Sequence, residues 1–293
     1  MSVNLRPFAE GDTDAVRSVL DATYGHDPRL RALYEDAHGS PPDDLFGRTL
    51  LAERDGEVVA AGTILHGPRH PRRTWLTLSV APESRRLGIG TALLHELRET
   101  AERPLRTRGI FSNDAAMGFL RRHEFGLLER CFEGRFDPAT VVARLPEPHL
   151  DQPPSLDEAA TFFDRVYQAT HHFDPPEPRS LEQARDVFCG ESMIENSLVC
   201  VREEGSVTAA ANLIRPFGLD PGDELYLVWV GALGTDDDAA ATVLAACVRF
   251  ALEAGKAVRF EVDETNAPVC KALERLGVLG KPEFGIFADD APV

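Results

Sequence analysis

The sequence predicts a mixed α/β protein made of two tandem halves with similar organisation. Strand-like and helix-like segments alternate along the 293 residues, and their order repeats at an offset of about 150 residues. A proline-rich connector at residues 145–154 separates the halves and lacks the periodicity of a helix or a strand. We therefore predict two domains, residues 1–147 and 148–293, in line with a typical domain length of about 100–200 residues.

Composition places the chain among globular proteins. Apolar residues make up 43% of the sequence and charged residues 27%, and no apolar run reaches the roughly 18–20 residues of a transmembrane helix. The N-terminus has no export signal. Five scattered cysteines are typical of reduced thiols, and no pair has the spacing of a zinc site. We expect a cytoplasmic protein that binds neither membranes nor metal.

The charge is strongly negative and unevenly distributed. A net charge of −17 excludes a general nucleic-acid binder, which needs clustered positive charge. The first 147 residues hold 20 Arg against 22 Asp and Glu, and the remaining residues hold 11 Lys and Arg against 26 acids. The acidic second half is either a solvated surface that aids solubility or a region that attracts a cationic partner such as an amine.

Six strands and three helices are predicted in the first half. A strand at 3–7 precedes a helix that Asp12 caps, with an apolar stripe along one face. Asp55-Gly56 lies between two apolar runs and predicts the turn of a hairpin over 50–65. The remaining elements are a strand at 75–80, a helix at 90–103, a strand at 105–110, a helix at 114–123 and a strand at 126–136.

The second half repeats this order. Gly205, in the turn of its hairpin at 198–214, stands 149 residues after Gly56, and Val230 stands 150 after Val80. The similarity in order predicts a duplication. The other elements are helices at 155–171 and 180–188, a strand at 224–230, a helix at 239–254, a strand at 258–262, a helix at 268–276 and a strand at 284–288.

The segment after strand 75–80 has the features of an anion-binding loop. Arg85 and Arg86 supply guanidinium groups, and Gly88 and Gly90 let an anion approach free N–H groups at a helix start. A dinucleotide-binding loop fits less well, because Leu93 stands where its third glycine is needed, and no Walker sequence occurs. A loop without a ligand remains an alternative.

Arg85-Arg86-Leu87-Gly88-Ile89-Gly90 resembles the Arg/Gln-x-x-Gly-x-Gly/Ala signature of the GNAT superfamily, the acyl-CoA-dependent N-acetyltransferases. Residues 113–126 are similar to the Asn-containing helix of that family. The resemblance implies a mixed sheet splayed between strands 75–80 and 105–110, with the pantetheine arm of acetyl-CoA in the gap. The cofactor-binding residues that it implies are Leu78, Ser79, Val80, Arg85, Arg86, Gly88, Ile89, Gly90, Thr91 and Asn113.

The second half resembles the family more faintly, at residues 266–278. At the 150-residue offset, Arg85, Gly88 and Gly90 are replaced by Thr235, Asp238 and Ala240. One like-charge pair at 4 Å costs about 4 kcal/mol at an effective dielectric of 20, which opposes a pyrophosphate there. We predict one CoA site, in the first half, and expect an aspartate to cap the next helix in the second.

No catalytic residue is assigned from the sequence. The resemblance implies a tyrosine proton donor seven residues after the helix asparagine, but Leu120 stands there, and Leu273 stands at the counterpart. Strand 75–80 holds no carboxylate that could act as a base. Tyr24 and Tyr34 lie where the family shapes its acceptor pocket, although packing roles are the commoner outcome for such residues.

The leading hypothesis is an N-acyltransferase that uses acyl-CoA, most simply acetyl-CoA. Its acceptor would be a small and possibly cationic amine, and the acyl group would pass to it directly. The missing tyrosine favours an alternative, a non-catalytic acyl-CoA-binding or interaction protein. A protein N-terminal acetylase is a third and weaker alternative.

Overall fold

We analysed a computed structural model of the chain, which describes residues 3–39, 47–67, 69–190, 192–215, 223–234 and 236–292. The predicted mixed α/β class is confirmed. The chain forms two compact units. Unit 1 comprises Met1–Arg108, Gly118–Leu127 and Phe287–Val293, and unit 2 comprises Gly109–Met117 and Leu128–Ile286.

The elements of the first half follow the predicted order, with one helix added. They are β1 (Val3–Pro7), α1 (Thr13–Tyr24), α2 (Pro28–Gly39), β2 (Arg48–Arg54), β3 (Glu57–Leu65), β4 (Thr74–Val80), α3 (Ile89–Thr100), β5 (Leu105–Ile110), α4 (Asp114–Arg122) and β6 (Gly126–Phe136). The added helix is α2, which has too weak an apolar stripe to be recognised from its sequence pattern.

Unit 1 is a five-stranded sheet with helices on both faces. Its order is β1-β2-β3-β4-β5, antiparallel except for the parallel pair β4 and β5. Helix α1 buries Val16 and Leu20 against Leu51 and Ala61 on one face. Helix α3 covers the other face with four buried apolar side chains: Ile89, Leu93, Leu94 and Leu97. The helices therefore hold β4 rigidly between two packed layers.

Asp12 precedes α1 as predicted, but its carboxylate does not cap that helix. It accepts instead from Ala9 N at 2.7 Å and from the Arg6 guanidinium at 2.6 and 2.7 Å. A short 3₁₀ turn, Glu10–Asp12, precedes the helix. The Asp12 carboxylate therefore accepts from the backbone at the start of the 3₁₀ turn and not from the first N–H groups of α1, where the cap was predicted.

The elements of unit 2 and the chain end are α5 (Pro138–Val141), α6 (Leu156–Thr170), α7 (Leu181–Phe188), β7 (Val199–Glu203), β8 (Ser206–Ala211), β9 (Glu224–Leu227), β10 (Val230–Ala232), α8 (Asp237–Glu253), β11 (Ala257–Asp263), α9 (Ala267–Leu276) and β12 (Phe284–Ala288). Strand β11 pairs antiparallel with β6 and parallel with β9, while β10, β8 and β7 form a second, antiparallel sheet. The single strand expected at 224–230 is thus divided between two sheets.

The two halves share structural details that support a duplication. Asp55 and Gly56 have φ angles of 54° and 88°, and Glu204 and Gly205 repeat them at 50° and 83°. A register shift follows Ala52 in β2, and the matching shift follows Val201 in β7, 149 residues later. Positive φ at two successive residues defines a type I′ turn, so the predicted hairpins are confirmed in both halves.

The compact units group segments that are distant in sequence, and the predicted division between residues 147 and 148 stays a prediction. Strand β6, expected to close the first half, pairs with β11 from Cys131 to Phe136 and is grouped mainly with unit 2. The chain end is grouped with unit 1, where Asp289 N donates to Leu105 O at 3.1 Å and Asp290 binds Arg73 at 2.6 Å. Backbone pairing between distant segments therefore sets the boundaries.

Candidate functional site: an anion loop beside a splayed strand

The loop after β4 is open at the start of a helix. Gly88 precedes α3 in the left-handed conformation, with φ of 82°, and a Cβ at this position would contact nothing within 4 Å. The first N–H groups of α3 have no partner inside the helix, because intrahelical donors begin one turn later. Arg86, also left-handed with φ of 63°, is exposed beside them. This arrangement is an open, positively polarised surface that suits an anion.

The two arginines of the loop have different surroundings. Arg85 turns back along the strand, where its Nε donates to Val80 O at 3.1 Å. Ser84, just before it, is fully buried, and its Oγ has no hydrogen-bond partner. Arg86 is the exposed one of the two arginines, whereas Arg85 is half-buried. Arg85 therefore fixes the end of β4, and Arg86 is the better placed of the two to meet a phosphate.

Strands β4 and β5 diverge soon after they meet. In the described register they pair only at Thr74 with Leu105 and at Trp75 with Arg106. The rest of β4, Leu76–Val80, keeps its pairing with β3 but has no ladder partner on the β5 side. Backbone groups along this edge are available to a ligand, and the splay that the resemblance implied is present.

Side chains of β4 alternate between the two faces of the sheet. Leu78 and Val80 face α3, since a Cβ on Gly62 would lie 2.8 Å from Leu78 and one on Gly90 would lie 3.7 Å from Val80. Ser79 faces the opposite side, towards α1 and α2, and is 1% exposed. The predicted cofactor strand therefore presents apolar groups to α3 and a hydroxyl to the α1 and α2 face.

The glycine and threonine in the first turn of α3 pack against α4. A Cβ on Gly90 would stand 3.3 Å from the Phe119 ring, which accounts for a glycine there. Thr91 Oγ1 is 3.1 Å from His123 Nε2. Burial, followed by the charges of Arg98 and Arg122, lowers the pKa of His123. The start of α3 is therefore held by a close aromatic contact and a hydrogen bond.

Asn113 lies between β5 and α4, in the part of the chain grouped with unit 2. Its Oδ1 accepts from Ala116 N at 3.1 Å. The side chain therefore acts as the N-terminal cap of α4. Its amide nitrogen is left for other partners, and the predicted contact with the cofactor arm stays a prediction.

Neither leucine at the tyrosine position is near solvent. Leu120 is 5% exposed and Leu273 is fully buried. Both are core residues of amphipathic helices, α4 and α9. A proton donor, where one is needed, has to come from another element.

A buried polar chain on the α1 and α2 face was missed from the sequence. His38 is fully buried, with Nδ1 2.7 Å from Thr63 Oγ1 and Nε2 3.0 Å from Ser79 Oγ. Thr63 Oγ1 is in turn 2.9 Å from Thr49 Oγ1. Burial lowers the pKa of His38 to about 3, so the ring is neutral. A signal in the sequence was the four-residue spacing of Tyr34 and His38, which places the two rings on the same face of a helix.

The counterpart of the anion loop in unit 2 is closed by its own residues. Asn266 Nδ2 donates to Val230 O at 3.0 Å, at the strand end that corresponds to Val80. Gly231 packs so tightly on Val166 that a Cβ would lie 2.5 Å from it. A side chain thus binds the Val230 carbonyl, as Arg85 binds that of Val80, and in unit 2 Val166 also covers the glycine that follows.

The carboxylates of the second loop also have partners of their own. Asp236 Oδ1 accepts from Asp238 N at 3.1 Å and Ala239 N at 2.9 Å, so the predicted helix cap is confirmed. Arg275 binds Asp238 at 2.7 Å and also Asp237. Thr235, the counterpart of Arg85, lies outside the described residues. The chain's own Arg275 thus binds two of these acids, and the described part of this loop presents carboxylates where unit 1 presents an arginine and a glycine.

Comparisons with known proteins agree with this geometry. Residues 14–125 match the family model described as the Acetyltransferase (GNAT) family. No curated protein sequence matches the chain. A GCN5-related N-acetyltransferase from Sphaerobacter thermophilus shares the fold over 99% of this chain and 97% of its own, with a TM-score of 0.65 and 17% identity.

Two further solved structures cover nearly the whole chain. A tandem GNAT protein from the clavulanic acid biosynthesis pathway aligns over 98% of both chains, with a TM-score of 0.66 and 14% identity. A putative acetyltransferase from Pyrococcus horikoshii aligns over 98% of this chain and 88% of its own, with a TM-score of 0.59 and 14% identity. Residues 14–125 therefore resemble the GNAT acetyltransferase family, and the chain as a whole shares the fold of a tandem GNAT protein.

Proposed function

We propose that this protein is an N-acyltransferase that transfers the acyl group of acetyl-CoA directly to a small amine, and that it binds one CoA per chain. The main support is the contrast between the two loops: Gly88 and the exposed Arg86 precede α3, while the acids Asp237 and Asp238 in the counterpart are bound by Arg275. The compartment we propose is the cytoplasm, and all five cysteines are free thiols.

The residues of unit 1 fit the chemical groups of CoA. The N–H groups at the start of α3 and the Arg86 guanidinium suit a pyrophosphate. Along the unpaired edge of β4, Leu78 and the N–H of Val80 offer backbone groups to an amide-containing arm such as pantetheine, since Val80 O already accepts from Arg85. Donors on that edge would also polarise a thioester carbonyl, which assists attack by the amine. Asn113 is part of this proposal as a contact with the arm.

The number of CoA sites can be tested by calorimetry. We expect one CoA per wild-type chain, and at least a hundredfold weaker binding for Gly88→Glu, which brings a carboxylate to the phosphate surface. The matched control is Asp238→Ala at the corresponding position of unit 2, which should leave CoA affinity unchanged. Two equivalent sites, or a weakened Asp238→Ala variant, would contradict the one-site proposal.

A second variant separates binding from folding. Arg86 has a left-handed backbone that suits glycine, so Arg86→Gly should keep the free energy of unfolding within about 1 kcal/mol of wild type. The same change removes a guanidinium, so CoA affinity should fall about tenfold or more. Unchanged affinity in this folded variant would remove Arg86 from the site.

The acceptor can be identified by thiol release from acetyl-CoA against a panel of amines. The acidic second half supports a cationic acceptor, so polyamines and basic amino-acid derivatives head the panel. For such an acceptor kcat/KM should fall as ionic strength rises, because salt screens long-range attraction. A turnover rate that is indifferent to salt and acceptor charge would reject the cationic class.

The alternative is a non-catalytic acyl-CoA-binding protein, favoured by the burial of Leu120 at the usual tyrosine position. Acetyl transfer that is measurable in the wild type and lost in Gly88→Glu would eliminate it. CoA binding without thiol release to any amine would instead support it over the enzyme.

A further inference from the structure

Two aspartates near the end of the chain bind three elements of unit 1, and we call this pair, Asp289 and Asp290, the acidic clasp. Asp289 holds both backbone groups at the start of β5: its Oδ1 accepts from Leu105 N at 2.8 Å, and its N–H donates to Leu105 O at 3.1 Å. Asp289 Oδ2 accepts from Arg98 Nε, in the last turn of α3, at 3.0 Å. Asp290 accepts from Nε and Nη2 of Arg73, just before β4, at 2.6 and 3.0 Å.

The clasp is closely fitted to unit 1. The side chains of Asp289 and Arg73 are only 15% and 13% exposed, so their contacts are largely shielded from water. Two parallel hydrogen bonds between a guanidinium and a carboxylate also fix the geometry of the Arg73–Asp290 pair. Beyond the clasp, a Cβ on Gly126 would lie 2.2 Å from Pro292 O, so the backbone of this segment packs where only a glycine fits.

The clasp binds β4 and β5 at the end where the two strands still meet. Their ladder has two positions, Thr74 with Leu105 and Trp75 with Arg106, and beyond these the strands diverge. Arg73 is adjacent to the first position on β4, and Leu105 is the first position on β5. The anion loop follows the opposite end of β4. The clasp therefore lies at the closed end of the gap between the strands.

Strand β5 depends on the clasp more than β4 does. Strand β3 pairs with β4 from Trp75 to Val80 and fixes that side of the gap. A parallel ladder of two positions supplies few hydrogen bonds, so it constrains the angle between β4 and β5 only weakly. Asp289 adds two bonds to the backbone of Leu105 and joins it to Arg98 on α3. The position of β5 relative to β4 and α3 is therefore set in large part by one carboxylate.

We propose that the acidic clasp positions β5 against β4 and α3, and so holds open the gap that receives the pantetheine arm of CoA. This inference rests on the proposed function. Asp289 and Asp290 are positioning residues, because they act on the cofactor only through the strands and the helix that they bind. When the clasp is broken, only a fraction of the molecules has the gap that admits the arm, and the apparent Kd for CoA rises by the reciprocal of that fraction.

Calorimetry with CoA compares variants of the clasp with Glu102→Gln, which removes a carboxylate from the exposed segment before β5. A hydrogen bond to a charged group corresponds to about ten- to hundredfold in an equilibrium constant, so Asp289→Ala should weaken CoA binding about fivefold or more. Asp290→Asn should also weaken it, whereas Asp290→Glu keeps the charge that faces Arg73 and should restore binding. Glu102→Gln should bind as wild type does. Unchanged affinity in Asp289→Ala would overturn the proposal.

A destabilised variant with an intact clasp separates positioning from a general loss of stability. Val16 packs with Leu51 and Ala61 of β2 and β3, so Val16→Ala leaves a cavity in that cluster and lowers the Tm. The CoA affinity of Val16→Ala, measured well below its Tm, should equal that of wild type. If it falls as far as in Asp289→Ala at a similar loss of Tm, CoA binding follows stability and the positioning role is wrong.

Hydrogen exchange without ligand tests the clasp independently of the proposed function. Thr74 N donates to Pro104 O at 2.9 Å, so this amide reports on the pairing of β4 with β5. It should exchange about tenfold or more faster in Asp289→Ala, and at the wild-type rate in Glu102→Gln. Unchanged exchange at Thr74 in Asp289→Ala would overturn the role of the clasp. Faster exchange there, with no CoA binding by wild type, would instead overturn the proposed function and with it the link from the clasp to CoA.

Discussion

Lowering the pH should destabilise unit 1 through His38. Burial lowers the pKa of this imidazole to about 3, against 6.5 for an unperturbed histidine. Between these values the unfolded chain takes up a proton that the folded chain excludes, so stability is full above pH 6.5 and is lost as the pH falls. From pH 7 to pH 4 the loss amounts to about 3 kcal/mol, at 1.36 kcal/mol for each pKa unit.

The assay compares wild type with His38→Gln, which cannot titrate in this range. The two tryptophans of the chain are Trp75, in unit 1, and Trp229, in unit 2. A Trp229→Phe background therefore reports urea unfolding of unit 1 through Trp75 fluorescence. His38→Gln should be less stable at pH 7, where it loses packed contacts. Because only wild type loses stability through His38, the gap between the two free energies of unfolding should be about 3 kcal/mol smaller at pH 4 than at pH 7.

The exposed His149 supplies a control, since His149→Gln should follow the wild-type pH dependence throughout. The reasoning would be refuted if wild type and His38→Gln lost stability in parallel between pH 7 and pH 4. Such a result would mean that the ring accepts a proton inside the folded protein.

Two further predictions concern unit 2. Burial raises the pKa of Glu129 to about 7, so its carboxyl stabilises the fold at low pH, and this contribution is lost as the pH rises from about 4.5 to 7. Glu129→Gln can still accept from Thr265 N and should raise the free energy of unfolding at pH 8 by about 1–3 kcal/mol, whereas the exposed Glu177→Gln should leave it unchanged. A Glu129→Gln variant that is less stable than wild type at pH 8 would contradict this prediction. Asp236→Ala removes the cap of α8 and should lower the free energy of unfolding in urea by about 1 kcal/mol. The exposed Asp238→Ala should lower it by less than about 0.5 kcal/mol. Equal losses in the two variants would argue against capping by Asp236.

Local patterns predicted most of the elements, because hairpins and amphipathic helices depend on neighbouring residues. Asp55-Gly56 fixed a turn that needs positive φ at two positions, and the same chemistry recurs at Gly205. The anion loop was equally local: two arginines and two glycines between a strand and a helix. The splay between β4 and β5 followed only from the family resemblance.

Features that depend on distant pairing were not predictable. Strand β6 pairs with β11 from Phe136–Val258 to Cys131–Asp263, and no local sequence pattern identifies so distant a partner. The strand expected at 224–230 is divided because β9 pairs in one sheet and β10 in another, which local periodicity does not specify. The hydrogen bonds from His38 to Ser79 and Thr63 could be predicted only with the knowledge that α2 packs on the face of the sheet that carries Ser79. In each case tertiary contacts decided what sequence periodicity left open.

The grouping of Phe287–Val293 with unit 1 has a consequence for biosynthesis. Asp290 binds Arg73 across 217 residues of sequence, and Asp289 N reaches the start of β5. Residues 128–286 separate the last two segments of this unit, so its packing is complete only after that whole stretch has been synthesised. Closing a loop of such length slows folding.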